Sequence, residues 1–324
     1  MSICAATDAA PHVPAQAQGK SRAPSNSWRV TSSTSTSATP RMFLRTPIVP
    51  RHSRYRGIGQ ARELAEGFCS PAGLQRRPWL ARLQRALANE LFVLHFQPIV
   101  SLSDGAISHY EALLRLADEP DGALVAPGAF LPAAERYGLI RQIDRMVLDM
   151  VAAMLGGEHG RHGVRIAMNV SAVSVTDPSM LTHVERRLEQ HGVDPSALVV
   201  EVTETAAISD MSSARTFCAG LLSLGCGVAL DDFGAGFGSF QYLKHLPFSH
   251  LKIDGDFIRG LPVSRTDQLV VKALAGVVRG MGRETIAEFV GDEPTMSMLR
   301  SYGVDYAQGF EVGRPEPIVP LLTA

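Results

Sequence analysis

The sequence predicts a closed βα barrel, and three observations carry that expectation. Eight short, apolar, β-rich runs lie between residues 92 and 310, most of them separated by segments of helical periodicity. Seven of the runs place a polar or charged group amid apolar neighbours. The chain of 324 residues is 45% hydrophobic, enough for one large core. A doubly wound open sheet is the alternative for the same alternation. The polar placement favours the barrel, because side chains at the strand ends of a barrel converge on one rim.

Taken in order, a lead-in helix is expected over 78–90, where Trp79, Leu80, Leu83 and Leu87 recur at helical spacing. The first strand spans 92–100. The second, 110–116, carries Glu111 near its start, and helices follow at 128–137 and 139–155. Strand 164–170 holds Asn169 after Ile166-Ala-Met, and a helix covers 178–191. Strand 198–202 holds Glu201, and helix 211–224 leads to strand 227–231 with Asp231 and Asp232. Strand 250–253 holds Lys252, helix 264–281 follows, and strand 285–289 holds Glu288. Helix 293–302 and strand 306–310, with Gln308, close the series.

The segment Gly227-Val-Ala-Leu-Asp-Asp-Phe-Gly-Ala-Gly-Phe-Gly238 is the most informative. Two adjacent carboxylates at the end of a buried strand repel each other, and a bound divalent cation removes that cost. The same pair also reads as a helix cap or a solvated turn. Its glycine spacing matches neither a dinucleotide fold nor a P-loop. Taken with the other runs, the set offers five carboxylates and two amides. These are hard oxygen ligands of the kind that suit Mg²⁺ or Mn²⁺. Two cations so held, with a lysine to orient water, fit hydrolysis of a phosphodiester.

Composition bounds the rest. Residues 1–60 carry eight Lys/Arg against Asp8 alone, a balance of +7, which leaves −8 on residues 61–324. The total of −1 signals no polyanionic partner, so direct nucleic-acid binding is not expected. Residues 1–60 form a basic Ser/Thr/Pro-rich tail that is expected to be disordered. Residues 61–85 are read as a linker with the lead-in helix, and 86–320 as the folded domain. No apolar stretch of signal-peptide or membrane-span type occurs, so a cytoplasmic location is expected. Cys4, Cys69, Cys218 and Cys226 form no Cys-x-x-Cys pair, which argues against structural zinc and a disulfide framework.

These residues resemble a known family. Glu111-Ala-Leu113 is similar to the signature of EAL domains, bacterial proteins that hydrolyse cyclic di-GMP. The resemblance extends in order through Gln97-Pro-Ile, Glu111-Ala-Leu-Leu-Arg115, Ala134-Glu135, Asn169-Val-Ser and Glu201-Val-Thr-Glu204. It continues through Asp231-Asp-Phe-Gly, Leu251-Lys-Ile-Asp254, Ala287-Glu288 and Gln308-Gly309. It implies a modified TIM barrel with one antiparallel strand. It also implies a metal held by Glu111, Asn169, Glu201 and Asp231, and a second shared by Asp231, Asp232 and Glu288. Lys252 would contact the hydrolytic water and Gln308 would support it. Gln97 and Arg115 would contact the ligand, and Glu204 would anchor the loop after Asp232.

The implied activity is metal-dependent opening of cyclic di-GMP to pGpG, within bacterial signalling. The alternative is a weakly active or non-catalytic regulator that binds cyclic di-GMP or a protein partner to control gene expression, motility or virulence. A homodimer is a further implication, and the basic tail or the barrel would serve a protein partner. The chain departs from the family pattern at three places, one of them Leu116 where a Trp is common. Phe289 and Gly291 stand where Gly and Glu are usual. Ala235, Phe237 and Gly238 replace Thr, Tyr and Ser in the loop. The three lost loop hydroxyls predict weak metal retention and slow turnover.

Overall fold

A computed structural model describes residues 77–118, 122–157, 162–234 and 240–317, together with residue 160. The described residues belong to the unit Phe68–Ala324. The tail expected over 1–60 lies outside them, as do residues 61–76 of the linker.

Helix α1 (Arg77–Ala88) buries Leu83 and Ala86 and precedes the barrel. Strands β1 (Phe92–Ser101) and β2 (Ile107–Leu116) form an antiparallel hairpin. Gly105, with φ 74°, and Asp104, whose side chain accepts from the Ala106 amide at 3.0 Å, turn the chain between them. Then come α2 (Pro127–Arg136), α3 (Ile140–Gly156), β3 (Ile166–Val170), α4 (Ala172–Val175) and α5 (Pro178–His191). They are followed by β4 (Leu198–Thr203), α6 (Glu204–Ser209), α7 (Met211–Leu224) and β5 (Gly227–Phe233). Next are α8 (Phe240–His245), β6 (His250–Ile253), α9 (Gly255–Gly260) and α10 (Arg265–Gly280). The chain ends its regular structure with β7 (Glu284–Ala287), α11 (Glu293–Tyr302) and β8 (Tyr306–Gln308).

The eight strands close in sequence order, with β1 antiparallel to both β2 and β8 and the remaining neighbours parallel. The barrel expectation and its single antiparallel strand are therefore met, and the open-sheet alternative is excluded.

Side chains alternate across each strand, which separates two cores. Ile166, Met168, Val200, Val228, Leu230, Leu251 and Ile253 belong to the large cluster that also takes in the helices. Ala167, Val199 and Ala229 form a cluster of their own, each fully buried. Each of these three lies two positions before Asn169, Glu201 or Asp231, so the small cluster and the polar set share the inner face.

Strand boundaries differ from expectation by two residues or more at five ends: β3 begins at Ile166 and β5 runs on to Phe233, and three others bear on the site. β2 begins at Ile107, because the hairpin ladder extends to the Val100–Ile107 pair, so Glu111 sits at mid-strand rather than near its start. β7 stops at Ala287, before Phe289 turns left-handed with φ 54°. β8 stops at Gln308, where the backbone of Gly309 meets that of Val290 so closely that a Cβ would collide. The short helices α4, α6, α8 and α9 went unpredicted because four to six residues show no period. Ser171, Thr203 and Asp254 cap three of them through side-chain oxygens. Among the described residues, no helix is long and apolar enough to cross a membrane.

Candidate active site

Lys252 lies at the centre of the polar set, on β6 and only 1% exposed. Its Nζ is 2.8 Å from Glu201 Oε2, 2.8 Å from Glu288 Oε1, 3.1 Å from Asp231 Oδ1 and 3.5 Å from Glu111 Oε2. Strands β2, β4 and β5 and the turn after β7 thus deliver carboxylates to one ammonium. Asn169 Nδ2 donates to Glu111 Oε1 at 2.7 Å, and Gln308 Nε2 donates to Glu111 Oε2 at 2.6 Å. Gln308 Nε2 also reaches Gln97 Oε1 at 3.2 Å, while Gln97 Nε2 donates to the Gly313 carbonyl. Register explains part of this convergence, since Gln97 faces Glu111 across β1–β2 and Asn169 faces Glu201 across β3–β4.

Asp232 follows Asp231 with φ 57°. Ligand oxygens of Asp231, Asp232 and Glu288 lie within 4.8 Å of one another. Glu204 Oε2 accepts from the Gly234 amide at 3.2 Å, which ties the start of α6 to the turn after Asp232. Arg115 is half-buried on β2 and donates to the Leu114 carbonyl; among the described residues it forms no ion pair with the gathered carboxylates. Ala235, Phe237 and Gly238 lie outside the described residues. The structure therefore gathers Glu111, Asn169, Glu201, Asp231, Lys252, Glu288 and Gln308, with Asp232 and Gln97 at their flanks.

The electrostatics are unbalanced. Five carboxylates face one ammonium, and burial penalises every charge. Burial, with Glu111 and Asp231 adding repulsion, raises Glu201 well above the usual carboxylate range. Burial raises Glu288 to about 8, with Lys252 opposing it. Asp232 is raised to about 6 by burial and by Asp231. Burial alone would lower Lys252, but Asp231, Glu111, Glu201 and Glu288 together lift it well above the usual lysine value.

The donor set fits divalent cations. Glu201 Oε1 and Gln308 Oε1 are buried without a hydrogen-bond partner among the described residues, so oxygen lone pairs point into the site unused. Two divalent ions would also offset the four negative charges that the lysine leaves unbalanced. Sequence reasoning missed that the Phe289 ring, directly after Glu288, packs on Gly255 with the Arg259 guanidinium over it. The one available signal was a bulky residue where glycine is usual.

Fold and site together define a βα-barrel protein with an acidic, lysine-centred rim suited to oxygen-bound cations. The chain belongs to the EAL domain family, whose profile matches residues 80–315. It is 38% identical over 244 residues to the bifunctional diguanylate cyclase/cyclic di-GMP phosphodiesterase MucR of Pseudomonas aeruginosa, covering 75% of this chain and 36% of the relative. It is 35% identical over 249 residues to the cyclic di-GMP phosphodiesterase PdeB of Shewanella oneidensis, covering 74% and 28%. The solved structure of the PaMucR phosphodiesterase in complex with c-di-GMP superimposes with a TM-score of 0.71 at 37% identity. That match covers 75% of this chain and 99% of the other. The chain spans about a third of the length of these curated relatives.

Proposed function

We propose that the chain is a metal-dependent phosphodiesterase that opens cyclic di-GMP to linear pGpG. The observation that carries this reading is the meeting of five carboxylates, Asn169 and Gln308 around Lys252 at one end of the barrel. The names of its relatives support the choice of substrate.

In this reading Glu111, Asn169, Glu201 and Asp231 hold one Mg²⁺ or Mn²⁺. Asp231 also serves a second ion with Asp232 and Glu288. When bound, such a pair supplies Lewis acidity at the phosphate and lowers the cost of deprotonating water. Lys252 donates to the attacking water through Nζ and keeps positive charge beside it. Gln308 holds Glu111 and Gln97 in place through its amide. Arg115, a guanidinium with fork geometry, meets a phosphate, and Gln97 contacts the nucleotide. The water oxygen bonds to phosphorus and gives up a proton, one ester bond from phosphorus to a sugar oxygen breaks, and the released alkoxide takes up a proton to become a hydroxyl.

The test is pGpG formation by purified protein at high enzyme concentration, with Mn²⁺ or Mg²⁺ and then with chelator. Product is expected only with metal. Glu111→Ala should lower the rate by at least about 100-fold, because it removes a charged ligand from the centre. Nucleotide binding without metal-dependent product would overturn the enzyme reading in favour of a regulator.

A further inference from the structure

Three described residues other than glycine have positive φ, and two of them frame the candidate centre: Asp232 at 57° and Phe289, directly after Glu288, at 54°. This region crowds the Cβ against the backbone and is least expected of a bulky residue. A side chain stays there only where its surroundings over-determine it.

Both turns rest on one element, α9, which leaves β6 just after Lys252. The Phe289 ring lies on Gly255 so closely that a Cβ there would collide with Phe289 Cδ2. The Arg259 guanidinium covers the same ring at 4.6 Å from its centroid, and Asp256 holds Arg259 by an ion pair. On the other flank Phe257 fills the space beside Gly234, two residues past Asp232, where a Cβ would collide with its ring. Backbone bonds tie the same junction. The Asp254 amide donates to the Phe233 carbonyl, and the Glu288 amide donates to the Ile253 carbonyl, each at 3.3 Å. Phe289 remains 53% exposed, so filling the core does not explain the ring. A glycine would take this φ without strain, and a phenylalanine narrows the backbone to one conformation.

We propose that Phe289 and Arg259 are positioning residues of the cation centre: the Phe289 ring, held on α9 by Arg259, fixes the turn that aims Glu288 at Asp231 and Asp232. This rests on the reading of those three carboxylates as metal ligands. The α9 brace sets the spacing of ligands delivered from β5 and from the turn after β7.

The test is calorimetric titration of the full chain with Mn²⁺ alone, without nucleotide. Phe289→Gly should weaken Mn²⁺ binding about tenfold, in the range that outer supporting contacts usually contribute. Arg259→Ala, an exposed change that leaves the fold intact, should weaken it in the same direction. Phe289→Tyr, which keeps the ring, should bind as wild type does. The urea midpoint of Phe289→Gly should hold or rise, since strain is relieved while affinity falls. Unchanged Mn²⁺ affinity in both Phe289→Gly and Arg259→Ala would overturn the proposal. So would a wild-type chain that takes up no Mn²⁺, or an equal loss in Phe289→Tyr. Turnover is measured separately. Weakened Mn²⁺ binding in a chain that yields no pGpG would sink the phosphodiesterase reading and leave the brace standing.

Discussion

At the scale of single residues, Lys252 carries the site's charge balance. Removing its ammonium leaves Glu111, Glu201, Asp231 and Glu288 facing one another in a buried space. Breaking a buried pair by deleting one partner costs about 3–5 kcal/mol. Lys252→Met should therefore lower the urea unfolding free energy by about 3 kcal/mol in chelator at pH 8. The loss should shrink toward pH 5, where Glu288, already raised to about 8, and Asp232, at about 6, take up protons that replace the missing charge. A loss that stays constant from pH 8 to 5 would contradict this account. The shared face of Glu111, Asn169, Glu201, Asp231 and Lys252 was legible in the sequence, because each sits in an apolar run and β alternation sends it inward. Their partners were not legible. The four contacts of Lys252 depend on how strands far apart in sequence meet around a closed barrel, which no local pattern records.

At the scale of elements, the long helices were readable from their period and their caps. Helix α11 illustrates this: Asp292 accepts from the Thr295 amide at 2.8 Å, Pro294 follows in the first turn, and Gly303 ends the helix with φ 77°. Asp292→Ala removes the cap and leaves the Thr295 amide without it, so the denaturation midpoint should fall while metal uptake stays unchanged. Denaturant titration with a parallel Mn²⁺ titration checks both halves; a shift in metal affinity would show that α11 supports the centre as well. The short elements escaped notice for a physical reason. α9 has six residues, too few for a hydrophobic period, and its contacts with Phe289 and Gly234 come from segments on either side of it in the fold. The ends of β7 and β8 were misplaced for a related reason. A single left-handed residue, Phe289, and the close approach of Gly309 to Val290 stop pairing that propensity would continue.

At the scale of the whole molecule, the barrel interior beneath the acidic rim holds a second set of titratable groups. The His109 and His250 rings lie 5.9 Å apart, and Tyr306 stands 6.0 and 6.1 Å from them. Burial lowers His109 to about 3, with His250, Arg165 and Lys252 adding to it. Burial lowers His250 to about 4, with Arg165 adding and Asp305 opposing. Around these rings lie Ser108, Ser249 and Glu284, the last 3.3 Å from His250. The unfolded chain takes up both protons near pH 6.5, whereas the folded chain resists until about 4 and 3. Between those limits the unfolded state holds more protons, so these groups stabilise the fold fully above pH 6.5 and lose that contribution as pH falls. The slope is at most about 1.4 kcal/mol per pH unit for each histidine. The rim carboxylates act in the opposite sense, since their raised values favour the folded state at low pH, so only a difference between two proteins isolates the histidines. His109 Nε2 has no hydrogen-bond partner among the described residues, so His109→Leu removes the titration at the loss of one hydrogen bond, Nδ1 to Ser108 Oγ at 3.1 Å. From pH 6.5 to 4.5 the variant should gain about 2 kcal/mol relative to wild type, as the rim contributions cancel. Unfolding curves measured in matched buffers provide the test, and parallel pH profiles for the two proteins would show that the buried pair does not set the acid limit of this barrel.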